Sequence, residues 1–257
     1  MGYCSTFILL ILLILITSSN YIPVKYVGFH NLVGELARGL GQEFDETGEY
    51  HAAIASHSPY LLPALRDPPL TALGLEDAKC LRPLAAELSP ELLVVSPLRR
   101  ATETILVGFE AAIQEAHGIH RSSDARLVQK TPTVLPIVAT ELCREQIGVH
   151  VCDQRLPVRD LQAEYPMVDY SPIANHDEDV LWQATRREAY PEMADRAYEF
   201  LEWLRARPET DIVVGTHSAF LMCLYNVVLE CGTDDELKTF FATGEMRSTV
   251  LTWEAQG

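Results

Sequence analysis

Basic residues are scarce in this chain: 20 Lys and Arg stand against 36 Asp and Glu, a formal net charge of −16 over 257 residues. That balance argues against a nucleic-acid backbone as partner, because proteins that bind one carry a basic face. Small anionic ligands stay open, since the local field of a pocket can oppose the net charge. The six cysteines (Cys4, Cys80, Cys143, Cys152, Cys223 and Cys231) include no C-x-x-C pair. No histidine spacing completes a zinc set either, so no metal is assigned. His150-Val151-Cys152-Asp153 reads as a fragment of a ligand set that nothing elsewhere in the sequence completes. Scattered thiols fit a reducing cytosol. Internal repeats and long low-complexity linkers are absent as well, which favours one domain, and 48% apolar residues suffice for a sizeable core.

No Lys or Arg precedes Lys25, and no apolar run is long enough to span a bilayer as a helix. Phe7 to Ile16 is an unbroken apolar run of ten, the length of a signal-peptide core, with Thr17 and Ser19 suited to a cleavage site. The basic n-region of a signal peptide is missing. Met1-Gly2-Tyr3-Cys4-Ser5-Thr6 fits a myristoylation pattern, with Cys4 as a palmitate acceptor. A wrongly assigned first exon is the third reading. Residues 1–20 are therefore set apart from a domain over 21–257. A cytoplasmic protein is expected, with secretion or membrane anchoring through residues 1–20 as the alternative.

Strand-like runs lie at Tyr21–Val27, Leu92–Val95, Val134–Val138 and Ile212–Gly215, with Thr249–Trp253 as a last strand. Thr71 caps a helical segment through Leu88, and Pro97 opens another reaching about Glu115 behind a serine cap. Glu192–Arg205 places Ala194, Ala197, Tyr198, Leu201 and Leu204 on one stripe, and Ser218–Leu229 reads as an apolar helix. Alternating strands and helices predict a three-layer α/β/α sandwich around a mainly parallel sheet. Gln42–Pro69 and Cys152–Arg187 are irregular and read as loops or lids.

Ligands of such sheets bind at the carboxyl ends of the strands. Arg100 emerges there after Val94-Val95-Ser96-Pro97-Leu98, and its guanidinium suits a phosphoryl group, with Arg99 the solvated neighbour. His217 ends the run Asp211-Ile212-Val213-Val214-Gly215-Thr216, where imidazole can donate to a phosphoryl oxygen. Ala139-Thr140-Glu141-Leu142-Cys143-Arg144-Glu145 brings a carboxylate to the same edge as a general acid. Residue chemistry alone does not choose between Glu141 and Glu145. His51, His57, His117 and His120 carry weaker signals.

These segments resemble the histidine phosphatase superfamily in its phosphoglycerate-mutase-like branch, from about Gly28 to Trp253. The plant- and protist-type subgroup is the nearest pattern. It is carried by Gly28-Phe29-His30-Asn31, Asp67-Pro68-Pro69-Leu70-Thr71-Ala72-Leu73-Gly74, Ser96–Thr104, Glu141–Glu145, Gly148-Val149-His150, Cys152-Asp153 and Val214–Leu221. The resemblance implies a phosphate pocket of Arg100, His217 and Asn31, with Glu145 as proton donor and Glu141 as fallback. It implies no metal or organic cofactor and a small phosphorylated substrate; oligomeric state is left open.

The family's nucleophile is a histidine in an Arg-His-Gly tripeptide at the end of the first strand, and it forms a phosphohistidine. This chain reads Pro23-Val24-Lys25-Tyr26-Val27-Gly28-Phe29-His30-Asn31. Without a gap, Val24 stands for the arginine, Lys25 for the nucleophile and Tyr26 for the glycine. Sliding His30 into the nucleophile's place would put Phe29 and Asn31 where Arg and Gly belong. A protonated lysine has no free lone pair, so the nucleophile is unassigned. The expectation is a phosphomonoester phosphatase or phosphoryl-transfer family member, impaired as written. The alternative is a catalytically silent phosphoester-binding or interaction protein.

Overall fold

The computed structural model describes residues 59–117, 134–231 and 237–253, and the backbone of 7–14. Five strands form one sheet in the order β3-β2-β4-β1-β5, where β1 is Phe7–Ile14, β2 Leu92–Val95, β3 Ile137–Ala139, β4 Asp211–Thr216 and β5 Met246–Thr252. The first four run parallel, and β5 returns antiparallel on β1. Helices α1 (Ala72–Cys80), α2 (Arg82–Ala85), α3 (Arg99–Gly108), α4 (Glu110–Ala116), α5 (Val158–Glu164), α6 (Tyr190–Arg205) and α7 (Ser218–Cys223) cover the faces, and a π turn over Leu224–Val228 extends α7.

The strands read as apolar runs because both faces are covered. Along β2, Leu93 and Val95 enter a core with Ile105, Phe109, Ile113 and Leu161, while Leu92 and Val94 enter a second with Phe200, Leu204 and Phe220. The alternation continues in β4, where Val213 faces the first core and Ile212 and Val214 the second. That division is the expected three-layer sandwich. Gly215 lets α3 lie close on β4: a Cβ there would come within 2.6 Å of Ile105 Cγ1.

Several expectations shift. Val134 is exposed and Pro136 offers no N–H, so β3 begins only at Ile137. The Thr71 segment breaks at Leu81, and α2 starts at Arg82 with Pro83 in its first turn. The long helix after Pro97 divides at Phe109, and its N-cap is Leu98, with no side-chain cap. The serine expected there, Ser96, has another task. In α6, Tyr198 is exposed, and the buried stripe runs through Met193, Ala197, Phe200, Leu201 and Leu204. The expected strand Tyr21–Val27 lies outside the described residues. Phe7–Ile14, read as an apolar segment apart from the domain, pairs in the sheet between β4 and β5, with Ile14 opposite Thr216.

Candidate functional site

The carboxyl ends of β2, β3 and β4 are stitched together by backbone. Ser96 N donates to Gly215 O at 2.8 Å and Thr140 N to Val95 O at 3.0 Å. Across this edge, His217 Nε2 and Ser96 Oγ lie 2.7 Å apart. The two strand-to-helix junctions therefore meet through the serine that the sequence suggests as a helix cap. Thr216 Oγ1 adds the third strand, donating to Cys143 O at 2.6 Å.

His217 is wholly buried, and its Nδ1 has no hydrogen-bond partner among the described residues. Burial, reinforced by the nearby Arg100 charge, pushes its pKa well below the ordinary histidine value. The ring is neutral at physiological pH. A buried, neutral imidazole with one unmatched nitrogen is costly unless something completes it.

Arg100 is buried on the first turn of α3. Its Nη1 donates to Cys152 O at 2.9 Å and its Nη2 to Asp153 Oδ1 at 2.8 Å. Asp153 Oδ2 receives Arg187 Nη1 at 3.0 Å and lies 3.7 Å from His150 Nδ1. Burial alone would raise the Asp153 pKa, but Arg187, the His150 hydrogen bond and Arg100 together hold it far below the usual carboxylate range. One ionised carboxylate thus joins two arginines 87 positions apart, and Arg187 is also anchored on Gly148 O at 2.6 Å. Gly148 takes φ +93°, and a Cβ there would fall 1.9 Å from Arg186 O.

The two candidate acids separate clearly. Glu141 accepts from Arg144 Nη1 at 2.8 Å and from Arg155 Nε at 2.6 Å, so it is committed to two buried guanidiniums. Arg144 is further clamped on Asp179 at 2.7 Å and on Asp153 O at 2.6 Å. Glu145 is buried, accepts from Gln146 N at 2.9 Å, and lies close enough to Cys152 to act on its thiol electrostatically. Lys25 and Asn31, with Val24, Tyr26 and His30, lie outside the described residues.

His150, Cys152 and Asp153 offer ligand atoms within 4.8 Å of one another, which reopens the metal fragment. The donor set fits poorly. Both Asp153 oxygens are taken by arginines, and burial raises the Cys152 thiol pKa well above its ordinary value. A groove of about 460 Å³ between α6 and the end of β5 contains none of the residues singled out from sequence as site candidates. It sits at the amino ends of the parallel strands, since Thr252 pairs with Phe7.

Sequence reasoning missed Ser96 as a histidine partner, and Asp153 and Arg187 as companions of Arg100. Cys152-Asp153 figured only in the resemblance and in the metal fragment, and nothing local to Arg187 points to a residue so far away.

The molecule is thus a three-layer α/β protein that gathers Arg100, its Asp153 carboxylate and a buried histidine, His217, at the carboxyl edge of its sheet. A model of the histidine phosphatase superfamily (branch 1) matches residues 60–129. Phosphoglycerate mutase-like protein 1 of Arabidopsis thaliana is 32% identical over 238 residues, covering 87% of this chain and 77% of that protein. A second phosphoglycerate mutase-like protein of the same plant is 32% identical over 240 residues, covering 87% and 80%. A solved structure described as mycobacterial hydrolase 2 shares the fold, with TM-score 0.50 and 14% identity over 97% of this chain and 84% of that one. The chain belongs to the histidine phosphatase superfamily, in its phosphoglycerate mutase-like group.

Proposed function

We propose that the carboxyl-edge site binds the phosphoryl group of a small phosphomonoester, and that the chain as written lacks the covalent step of its family. The observation that carries the binding half is His217: a buried imidazole bonded to Ser96 on one side, with Nδ1 unmatched among the described residues. A phosphoryl oxygen accepts from such a nitrogen, and Arg100 beside it supplies positive charge. Glu145, not the doubly paired Glu141, is the acid for a leaving alkoxide. Asn31 completes the pocket by family pattern.

For the covalent half, β4 lies between two parallel neighbours, β2 and Phe7–Ile14, and the residues that follow the latter in the chain (Leu15-Ile16-Thr17-Ser18) include no histidine. In the family pattern Lys25 stands where the nucleophile belongs, and an ammonium does not attack phosphorus. The second reading, a silent phosphoester-binding protein, shares this pocket and differs only in having no restorable turnover. A cytosolic setting suits the thiols: Cys80, Cys143, Cys152, Cys223 and Cys231 are all unbridged. No helix among the described residues is long and apolar enough to cross a membrane.

Hydrolysis of an aryl phosphate tests the covalent half. The chain should turn over no faster than an Arg100→Ala, His217→Ala double variant, and activity clearly above that variant contradicts the proposal. Val24→Arg, Lys25→His, Tyr26→Gly should create turnover in an otherwise sound pocket. A folded but inert triple variant favours the silent protein.

A further inference from the structure

Asp67 is a buried carboxylate with no role in the site described above. It is wholly buried and holds φ +42°, a left-handed conformation uncommon for aspartate. Its two oxygens accept from two different parts of the chain. Oδ1 takes Arg99 N at 2.8 Å, and Oδ2 takes Leu156 N at 3.0 Å.

One tether ends next to Arg100 and the other in the loop of its counter-ion. Arg99 N is a first-turn donor of α3, the helix whose own N-cap offers no side-chain acceptor. Leu156 lies in the loop that carries Asp153, the carboxylate bonded to Arg100. One side chain thus links the helix that bears the arginine to the loop that bears its counter-ion. Adjacent residues repeat the pattern. Arg66 Nη2 donates to Arg155 O at 2.8 Å, and Leu70 N donates to Glu103 Oε2 on α3 at 2.6 Å.

A local serine or aspartate at position 98 would cap α3 without burying a distant charge in a strained backbone. Strain and desolvation concentrated at one residue mark a functional constraint. We propose that Asp67 is the positioning residue for Arg100, fixing its helix against the Asp153 loop so that the oxyanion pocket is preformed. This inference rests on the reading of Arg100 as a phosphoryl ligand.

The ionised form is needed, because a protonated oxygen turns a donor toward one of the two N–H groups and releases that tether. Burial raises the Asp67 pKa to about 6, against the opposing pull of the two N–H groups, Arg100 and Arg99. The Asp67 charge in turn helps raise the pKa of the neighbouring Tyr170 hydroxyl. Asp67→Asn imitates the protonated acid at every pH.

Sulfate, an oxyanion that does not titrate near neutrality, serves as the probe in calorimetric titrations of the full chain from pH 8 to 5. The wild type should bind sulfate and lose affinity as pH falls through about 6. Asp67→Asn should bind about tenfold more weakly at pH 7.5, lack that acid-side loss, and melt no lower than the wild type. A residue of purely structural importance would instead lower the melting temperature and leave the pH profile alone. Wild-type-like affinity and pH profile in Asp67→Asn overturn the proposal. So does a wild-type affinity that stays level down to pH 5, whether or not the variant folds. Failure of the wild type to bind sulfate at all removes the pocket itself, and this inference with it.

Discussion

Replacing Asp153 by alanine should destabilise the protein strongly, and phosphate should restore part of the loss. In the wild type the carboxylate is buried and bonds Arg100 at 2.8 Å and Arg187 at 3.0 Å. Arg187 keeps some contact with water, but Arg100 has a side chain only 1% exposed. Alanine would leave that guanidinium buried without its counter-ion, a change that costs about 3–5 kcal/mol. At about 2–4 °C per kcal/mol for a domain of this size, melting should fall by roughly 6–20 °C. The pH dependence rests on the depressed Asp153 pKa. A carboxyl held below its ordinary value of 3.8 contributes stability that is present above that value and lost as pH falls through its folded pKa. The gap between wild type and variant should therefore be level from pH 8 to 5. Thermal melts with and without inorganic phosphate check the account. Phosphate at about 100 times its Kd adds about 2.7 kcal/mol to any form that binds it. The variant should gain more degrees than the wild type, because the oxyanion replaces a missing charge. A variant that melts within about 1 °C of the wild type, or that phosphate leaves unmoved, would refute the reasoning.

Two further substitutions separate scaffold from site. Gly215→Ala drives a Cβ to 2.6 Å from Ile105 Cγ1 on the helix that carries Arg100; it should cost about 1–3 kcal/mol in chemical denaturation, and a neutral result would contradict the close packing of α3 on β4. Glu141→Gln weakens the support of Arg144 and Arg155. It should lower the denaturation midpoint while leaving phosphate affinity within about twofold, whereas a large loss of affinity at unchanged stability would restore Glu141 as a site residue.

The strand β2 was legible because Leu92–Val95 is an apolar run bounded by a proline turn on one side and Ser96-Pro97 on the other. The carboxyl-edge junctions came with it, since a parallel sheet gathers the segments just beyond its strands at one edge. The partners of those residues were not legible. Asp153 meets Arg100 across 53 positions and Asp67 meets Leu156 across 89, and no periodicity records such pairings. Ser96 misled because a serine before a helix normally caps it, but here Asp67 takes that duty and frees the hydroxyl for His217. Phe7–Ile14 is leucine- and isoleucine-rich throughout, a composition shared by signal cores and buried strands. Its pairing with β4 and β5 is not written in that composition.

The pocket of Arg100 and His217 is the centre of the account, and calorimetric titration with inorganic phosphate addresses it most directly. The protein should bind one phosphate per chain at pH 7.5, with affinity at least about tenfold weaker in Arg100→Ala and in His217→Ala. Absence of saturable binding by the folded wild type, or equal binding by both variants, would contradict it.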